Sequence, residues 1–300
     1  MVDMIRKLRK LRKVKKKWIS LKLMLQACWA HFVVRNNRDF DSSSPVHVSL
    51  TSYGRRLHKV FIIIEMLMKQ TAPMNSLTLY ISNQDMRREQ LPSSLKRLEK
   101  RGLTLCFVDE NICSYKKIYY SYLKHHKNEQ ALLVTADDDV LYSSNWLEEL
   151  VHASSQHPNA VVAHRCKTIT LDVEGKPKAY RQWNGQHDIP CDHIKHHLIM
   201  PTGVGGVLYP VTSLMGLEQQ KNDFMQHSRC ADDIWLKCLT YYNGFESKLT
   251  KPRSLVTYPS VITLSTKRKG LALYNVYQGG NDKQMAQTME YFGINFLSNH

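Results

Sequence analysis

Hydrophobic positions after residue 45 follow two alternating patterns along the chain. Short apolar runs occur in VHVSLTSY, LTLYIS, LTLCFVDE and ALLVTADDD, and such runs are typical of strands buried on both faces of a sheet. Segments of helical length lie between them: RRLHKVFIIIEMLMKQ, LPSSLKRLEKRG and KKIYYSYLKHH. This order of four strands and three helices predicts an α/β fold with a largely parallel, doubly wound sheet.

The second half of the chain has fewer helical segments. From about residue 161, AVVAHRCKTITL, KAYRQW and GVGGVLYP are strand candidates, and CADDIWLKCL then opens an apparent helix. We interpret this half as an extension of the same domain rather than an independent one. The predicted organisation is an arm (1–38), a linker (39–45) and one domain (46–300), whose halves are 46–145 and 146–300.

The N-terminal arm carries most of the net charge. Residues 1–22 contain ten Lys or Arg and one Asp, so nine of the sixteen net positive charges lie there. Its apolar residues recur every three or four positions, which predicts a helix with one apolar stripe beside a cationic face. A basic amphipathic helix of this kind suits an anionic membrane surface. The stripe comprises Ile5, Leu8, Leu11, Val14, Trp18, Leu21, Leu25, Cys28 and Phe32.

Other roles for the arm fit the sequence less well. The longest stretch free of charged residues, LMLQACWAHFVV, is too short to span a bilayer, although a tilted signal anchor from Trp18 to Val34 stays an alternative. A signal peptide is disfavoured because the basic region is long and lacks a clear cleavage site. No aromatic-rich module or zinc finger accompanies the arm, so nucleic acid is not an expected partner. Seven cysteines without a C-x-x-C pair favour a reducing, cytoplasmic location.

Three consecutive carboxylates, Asp137, Asp138 and Asp139, come at the end of the fourth predicted strand. In open α/β sheets, ligands bind outside the carboxyl ends of the strands. Adjacent like charges need a cation or hydrogen-bond donors, and Mg²⁺ or Mn²⁺ prefers oxygen ligands. Alternation in extended backbone predicts that Asp137 and Asp139 point to one side and Asp138 to the other. A solvated acidic turn is the alternative.

The second half adds three glycines and an acidic pair. Gly203, Gly205 and Gly206 interrupt the apolar run PTGVGGVLYP, and glycine in a strand indicates either a structural bend or the close approach of a ligand. Asp232 and Asp233 lie at the start of the CADDIWLKCL helix. A carboxylate there caps the helix or serves as a catalytic group.

Taken in order, VSLTSY, YKKIYY, TADDDVLYSSNWLEEL, TGVGGVLYP and CADDIWLK resemble a bacterial glycosyltransferase of the GT-A type over about residues 46–285. The resemblance implies a GT-A-like, Rossmann-like, mostly parallel sheet flanked by helices. It also implies that the first half binds a nucleotide-sugar donor, that Mg²⁺ or Mn²⁺ at an Asp-x-Asp position bridges the donor diphosphate, and that the second half binds the acceptor.

The resemblance further implies roles for particular residues. Asp139 is the expected direct metal ligand, and Asp137 contacts the metal shell or the ribose. In the resembling inverting enzymes an acidic residue at such a helix start deprotonates the acceptor hydroxyl, which points to Asp233, with Asp232 as the alternative. Donor contacts are expected from Thr51, Ser52, Tyr53, Arg55, Lys117, Asp137 and Asp138, and acceptor contacts from Trp183, Gly203, Gly205 and Gly206.

One feature departs from the family pattern. Many GT-A enzymes supply a further metal ligand, often His, near the C-terminus, but residues 228–299 contain no His. Asn281 or Asp282 is one substitute, and the diphosphate and water are another.

The sequence therefore predicts a metal-dependent, hexosyltransferase-like enzyme of inverting type. Its expected acceptor is a glycan or lipid-linked glycan, a precursor of a cell-surface polysaccharide or lipooligosaccharide, used at the inner face of a membrane by a cytoplasmic, peripherally bound protein. Two alternatives stay open: a nucleotidyltransferase that makes a nucleotide sugar, and a noncatalytic membrane-associated scaffold with a degenerate transferase fold.

Overall fold

The structure, a computed structural model, describes Trp18 and residues 21–33, 39–185, 196–250 and 273–297. Its centre is a seven-stranded sheet, and a three-stranded sheet lies beside it. In spatial order the large sheet consists of Glu246–Leu249 (β10), Ala160–Ala163 (β5), Val207–Pro210 (β9), Leu132–Ala136 (β4), Val46–Thr51 (β1), Ser76–Ser82 (β2) and Thr104–Val108 (β3). The small sheet consists of Asn184–Gly185 (β7), Cys166–Thr168 (β6) and Ile199–Pro201 (β8).

Helices cover both faces of the large sheet. They are residues 21–33 (α1), Phe61–Leu67 (α2), Ser93–Glu99 (α3), Lys116–His125 (α4), Trp146–Gln156 (α5), Lys221–His227 (α6), Asp232–Tyr242 (α7) and Gly280–Phe292 (α8). The segment RRLHKVFIIIEMLMKQ, predicted as one helix, forms a 3₁₀ turn at Gly54–His58 before α2 begins. The positions of the first four predicted strands and of α3, α4 and α7 are confirmed.

The order of the strands places a topological switch point at the centre of the sheet. Strands β1, β2 and β3 are parallel neighbours on one side, and β4 pairs in parallel with β1 on the other. Successive strands are thus added on one side of β1 up to β3, and β4 is then added on the other side. Open α/β sheets bind ligands at the point between β1 and β4 where the strand order reverses. The predicted mostly parallel α/β sheet is confirmed, with β9 inserted antiparallel between β4 and β5.

The second half differs from the predicted strands in two places. AVVAHRCKTITL divides into β5 and β6, which belong to different sheets. The prediction of a strand for KAYRQW was wrong, because Tyr180–Gln182 is a 3₁₀ turn. Side chains bond the backbone there: Asp282 Oδ1 accepts from the Tyr180 N–H at 2.5 Å, and Lys167 Nζ donates to the Tyr180 carbonyl at 2.9 Å. These groups therefore need no partner strand.

Alternation along the strands divides the core into two layers. In β4, Val134 faces a cluster built with α2, α3 and α5, whereas Leu133 faces a cluster built with α4 and α7. Both residues are fully buried, as expected for a central strand with helices on each side. Because both faces of β4 are packed, the residues that directly follow this strand are held in a fixed position.

The arm is helical where it is described. Helix α1 packs through Leu23, Met24 and Ala27 against the first of these core clusters. No helix among the described residues is long and apolar enough to cross a bilayer. Residues 1–17, which carry most of the basic arm, lie outside the described part.

Candidate functional site

Five carboxylates meet at the switch point of the large sheet. Asp137, Asp138 and Asp139 directly follow β4, and Asp232 and Asp233 are the first residues of α7. We call these five residues the carboxylate cluster. Sequence reasoning singled out all of them, and the structure brings them together around two basic side chains.

Lys117 is the buried cation of the site. It lies in the first turn of α4, its side chain is 7% exposed, and its Nζ lies 2.7 Å from Asp137 Oδ1 and 3.5 Å from Asp232 Oδ2. The backbone is held too, since Ser49 Oγ in β1 donates to the Lys117 carbonyl at 2.8 Å. Burial lowers the pKa of Lys117, but the nearby carboxylates outweigh burial and hold that pKa well above its usual value. Lys117 therefore joins the two acidic segments as a fixed positive charge.

Arg56 is the second cation, and it contacts the other two carboxylates of the triplet. Its Nη2 lies 3.1 Å from Asp138 Oδ1 and also bonds Asp139. Ser52 Oγ, just beyond β1, donates to Asp138 Oδ2 at 2.6 Å. Burial raises the pKa of Asp138 to about 6 although Arg56 opposes the shift, and burial likewise raises the pKa of Asp139.

The predicted alternation of the three carboxylates was wrong. Asp138 and Asp139 share Arg56, whereas Asp137 bonds Lys117 on the side of α4. The reason is that β4 ends at Ala136, so the triplet lies in a turn where the two-residue period of a strand no longer holds.

Asp233 reaches across the site instead of capping its own helix. Residue Ala231 occupies the N-cap position of α7 and makes no side-chain cap bond. Both oxygens of Asp233 accept from the Gly203 N–H, at 3.0 and 3.1 Å. Burial, and then the charge of Asp232, raise the pKa of Asp233 to about 7. Since Asp233 keeps some exposed surface, it is a carboxylate with the proton affinity and access that a general base needs.

Asp232 is the more enclosed member of the acidic pair. The residue is 8% exposed, and among the described polar atoms its Oδ2 is buried without a hydrogen-bond partner. Its nearest cation is Lys117 at 3.5 Å. A buried carboxylate oxygen without a hydrogen-bond donor is unfavourable, so the ion pair with Lys117 is what compensates the charge of this oxygen among the described residues.

Among the three predicted acceptor-contacting glycines, Gly203 alone borders the cluster. A Cβ on Gly203 would lie 3.1 Å from Asp233 Oδ1 and 3.3 Å from Lys117 Nζ. A Cβ on Gly205 would meet Arg165 at 2.8 Å, and one on Gly206 would meet the Trp146 ring at 2.3 Å. Close packing of the chain therefore accounts for Gly205 and Gly206 without a ligand.

Four other predicted residues lie apart from the cluster. Thr51 Oγ1 donates to the Tyr80 carbonyl at 2.9 Å and so turns toward β2. Tyr53 and Arg55 are exposed on the rim and contact none of the five carboxylates, but the Tyr53 ring lies 5.5 Å from the Arg56 guanidinium. Trp183, predicted to contact the acceptor, is 4% exposed in a core cluster, and its indole N–H donates to the Lys178 carbonyl at 2.6 Å. A buried ring with a satisfied N–H is a packing residue in this arrangement.

Sequence reasoning missed two residues of the site. Arg56 contacts the carboxylates where Arg55 was expected, and the adjacent arginines of TSYGRRLHK gave no signal of which one turns inward. Tyr142 is fully enclosed, and its hydroxyl accepts from the Asp137 N–H at 2.8 Å. No pattern in the sequence distinguished Tyr142 from an ordinary core aromatic residue.

The charge of the site fits a divalent cation. Five carboxylates face two basic side chains. Burial first, and then neighbouring carboxylates, raise the pKa values of Asp138, Asp139 and Asp233, although Arg56 or Lys117 opposes each shift. Among the described residues no group of three or more His, Cys, Asp or Glu forms a ready ligand set. Mg²⁺ does not require one, because it usually binds one or two carboxylates together with substrate phosphates and water. The possible substitutes Asn281 and Asp282 begin α8, where Asp282 instead accepts from Tyr180.

No protein-family model matches the chain, and no curated protein sequence matches it. Solved structures do resemble its fold. They include S. aureus TarS in complex with UDP (14% identity, TM-score 0.46, covering 82% of this chain and 69% of that one) and with UDP-GlcNAc (14%, 0.46, 84% and 66%). Another is the mannosyltransferase PcManGT from Pyrobaculum calidifontis in complex with GDP-Man and Mn²⁺ (12%, 0.48, 94% and 74%). At identities of 12–14% the likeness concerns the fold.

Proposed function

We propose that the protein is a metal-dependent glycosyltransferase of inverting type that uses a nucleotide-diphosphate sugar. The observation that carries this proposal is the convergence of the carboxylate cluster on Lys117 at the switch point of the sheet. One acidic group, the triplet, suits a cation bound to a diphosphate, and the other, at the start of α7, suits proton removal from a hydroxyl.

At the donor end, Asp139 would hold Mn²⁺ or Mg²⁺ directly, and Asp137, which bonds Lys117, would contact the metal shell. The cation would supply stabilisation of the negative charge that develops on a diphosphate leaving group. Arg56 and Lys117 are the basic side chains of this region, and a guanidinium pairs well with phosphate oxygens. Ser52 orients Asp138 by donating to it, so the triplet keeps its arrangement when the ligand leaves.

At the acceptor end, Asp233 is the proposed base. The Gly203 N–H bonds both of its oxygens and fixes the carboxylate plane. With a pKa of about 7, Asp233 takes up a proton from an acceptor hydroxyl and releases it to solvent near neutral pH. Asp232 pairs with Lys117, which lies between the two ends of the site.

The proposed acceptor is a lipid-linked glycan, a precursor of a cell-surface polysaccharide or lipooligosaccharide. The basic N-terminal arm motivates this choice, because a cationic amphipathic segment favours an anionic membrane surface. The corresponding location is the cytoplasm, peripheral at the inner face of the membrane.

Calorimetric titration with a panel of nucleoside diphosphates and nucleotide sugars tests the proposal. It is carried out with Mn²⁺, Mg²⁺ or EDTA, on wild type and on Asp139→Asn. We expect one nucleoside diphosphate and its sugar to bind only with metal, and Asp139→Asn to weaken this binding at least tenfold. Asp223→Asn is the matched control, because Asp223 is a carboxylate on α6 that bonds Tyr291 outside the cluster.

The titration also separates the alternatives. Absence of binding by folded wild-type protein under every condition would contradict the transferase and favour the scaffold. Preferential binding of a nucleoside triphosphate with a sugar phosphate would favour the nucleotidyltransferase.

A further inference from the structure

Helix α1 has two apolar faces, one of which packs on the domain. Ala27 and Ala30 on the inner face are almost completely buried. On the opposite side, five large apolar side chains project outward, and we call them the outer stripe. The outer stripe consists of Trp18, which precedes α1, and of Leu21, Leu25, Trp29 and Phe32 within it; these side chains are 69%, 49%, 61%, 62% and 70% exposed.

Polar contacts from α2 and α3 set the orientation of the helix. His31 Nδ1 lies 3.0 Å from Oε1 of Glu65, a fully buried residue that also pairs with Arg101. Arg97 Nη2 donates to the Phe32 carbonyl at 3.0 Å, and a cation at the end of a helix is favourable. These contacts bind the inner face of α1 to the domain, and the outer stripe on the opposite face therefore points away from the domain.

An outer stripe of this kind calls for a partner. Large contiguous apolar patches on a protein surface mark interaction sites, and the spacing of three or four residues lines these side chains along one side of the helix. Trp18, Leu21, Leu25 and Trp29 also line a shallow groove together with Lys22 and Gln26. The possible partners are a lipid surface, a second copy of this chain, or another protein.

Charge decides among these partners. The outer stripe continues directly from a segment with ten Lys or Arg in 22 residues, and Lys69 of the domain flanks α1 by donating to the Gln26 carbonyl. A second copy would carry the same excess of positive charge, and like charges repel. An anionic bilayer attracts both the arm and Lys69, and its interface accommodates Trp and Phe.

We propose that the outer stripe is a membrane-docking surface that lies flat in the interface of an anionic bilayer. Because α1 is fixed to the domain through Glu65, docking holds the whole domain in one orientation instead of leaving it on a loose tether. This inference rests on the membrane location proposed above and deepens it. Its evidence is α1 and the basic arm and not the carboxylate cluster, so vesicle binding can fail while nucleotide binding and glycosyl transfer stand.

The distribution of tryptophans provides a direct test. Of the five tryptophans, Trp18 and Trp29 are exposed, whereas Trp146, Trp183 and Trp235 are buried. Full-length protein is mixed with phosphatidylcholine vesicles that contain or lack phosphatidylglycerol. We expect the anionic vesicles to cause a blue shift of tryptophan emission and to co-sediment with the protein.

The variant Trp18→Phe/Trp29→Phe should lose the blue shift and keep co-sedimentation. Vesicles that lack phosphatidylglycerol should bind at least tenfold more weakly.

Two double variants identify the surface. Leu25→Glu/Trp29→Glu should reduce binding to anionic vesicles at least tenfold, while thermal unfolding and nucleotide titration in solution stay as in wild type. The matched control Met215→Glu/Tyr242→Glu changes two similarly exposed side chains elsewhere, 56% and 64% exposed, and should bind as the wild type does.

Two results would overturn the proposal. One is unchanged vesicle binding by Leu25→Glu/Trp29→Glu, which would leave the basic arm as the sole contact. The other is a dimeric mass of the wild type in light scattering that becomes monomeric in this variant, which would identify a second copy as the partner.

Discussion

At the scale of single residues, the site depends on a few long-range contacts between charged groups. Lys117 joins Asp137, which follows β4, to Asp232, which begins α7, and Asp233 bonds a backbone N–H thirty positions away. Burial makes each of these contacts strong and also makes an unpaired partner costly. Removing one member should therefore produce a distinct chemical effect.

Asp233→Asn is expected to reduce sugar transfer about 10²–10⁴-fold, the usual contribution of a general base. The amide can still accept from the Gly203 N–H, so nucleotide titration should remain as in wild type. In wild type, kcat/KM should rise with pH up to about 7, where the pKa of Asp233 lies, and the variant should lack that rise. Asp232→Asn is the comparison: if it loses the pH limb and Asp233→Asn keeps it, the roles of the two residues are reversed.

Asp233→Asn should also be more stable than wild type above neutral pH. The pKa of Asp233 is about 7 in the folded chain against an ordinary value of 3.8, so the folded state binds the proton more tightly. Stability from this group is therefore present at low pH and is lost as pH rises from about 4 to 7. Because Asp233 keeps some exposed surface, we expect a gain of about 1–2 kcal/mol for Asp233→Asn at pH 8, measured by urea unfolding. An equal gain at pH 4 would show that ionisation of Asp233 is not its cause.

The two adjacent arginines offer a matched pair of variants. Arg56→Met removes the guanidinium that contacts Asp138 and Asp139, whereas Arg55→Met removes one that is exposed on the rim. We expect Arg56→Met to weaken binding of the nucleoside diphosphate about tenfold, equivalent to roughly 1.4 kcal/mol, and Arg55→Met to have little effect. Equal losses in both variants would show that only overall charge matters.

At the scale of elements, close approach between β9 and α5 shapes the edge of the site. The chain crosses the Trp146 ring at Gly206, whose φ of +88° lies in the left-handed region, and Trp146 Nε1 donates to the Gly205 carbonyl at 2.7 Å. This bend holds Gly203 against Asp233. Gly205 and Gly206 are therefore required for the close packing of the segment before β9, which also presents the Gly203 N–H.

Gly206→Ala should be strongly destabilising. Its Cβ would lie 2.3 Å from the Trp146 ring in addition to the unfavourable φ, so we expect a loss of about 2–4 kcal/mol from overpacking and backbone strain together. Gly244→Ala is the control, because Gly244 has a similar φ of +81° but nothing within 4 Å of the added Cβ. Its expected loss, about 1 kcal/mol, comes from the backbone alone. Similar denaturation midpoints for the two variants would contradict the role of the Trp146 contact.

At the scale of the whole molecule, α1 is joined to the domain by a buried ionic group. Glu65 lies between His31 and Arg101 with no exposed surface, in contrast to Glu99, which pairs with Arg88 at the exposed end of α3. Removing one partner of a buried pair leaves an uncompensated charge, whereas exposed pairs contribute little. The orientation of the outer stripe therefore depends on Glu65.

Glu65→Gln should lower the free energy of unfolding by about 3 kcal/mol and increase hydrogen exchange in α1. Glu99→Gln, the matched exposed substitution, should change stability by less than about 1 kcal/mol. Exchange measured by mass spectrometry on both variants checks this. Undisturbed protection of α1 in Glu65→Gln would mean that apolar packing alone holds the helix.

The sequence by itself determined the order of the elements and the position of the acidic residues within them. Apolar runs and helical spacing are local properties, so β1 to β4, α4 and α7 were predictable. The same pattern placed Asp137 directly after a strand and Asp233 at a helix start, whereas a shared site for the two was implied by the family resemblance and not by the pattern.

Only the tertiary structure decided which side chains meet. Arg56 rather than Arg55 turns inward, Trp183 is buried, and the face of α1 that contains Ala30 packs while the face that contains Trp29 stays exposed. Each of these outcomes depends on neighbours far away in the chain, and periodicity carries no information about such neighbours. Local patterns specify elements because they arise from backbone geometry, whereas the site arises from packing between elements.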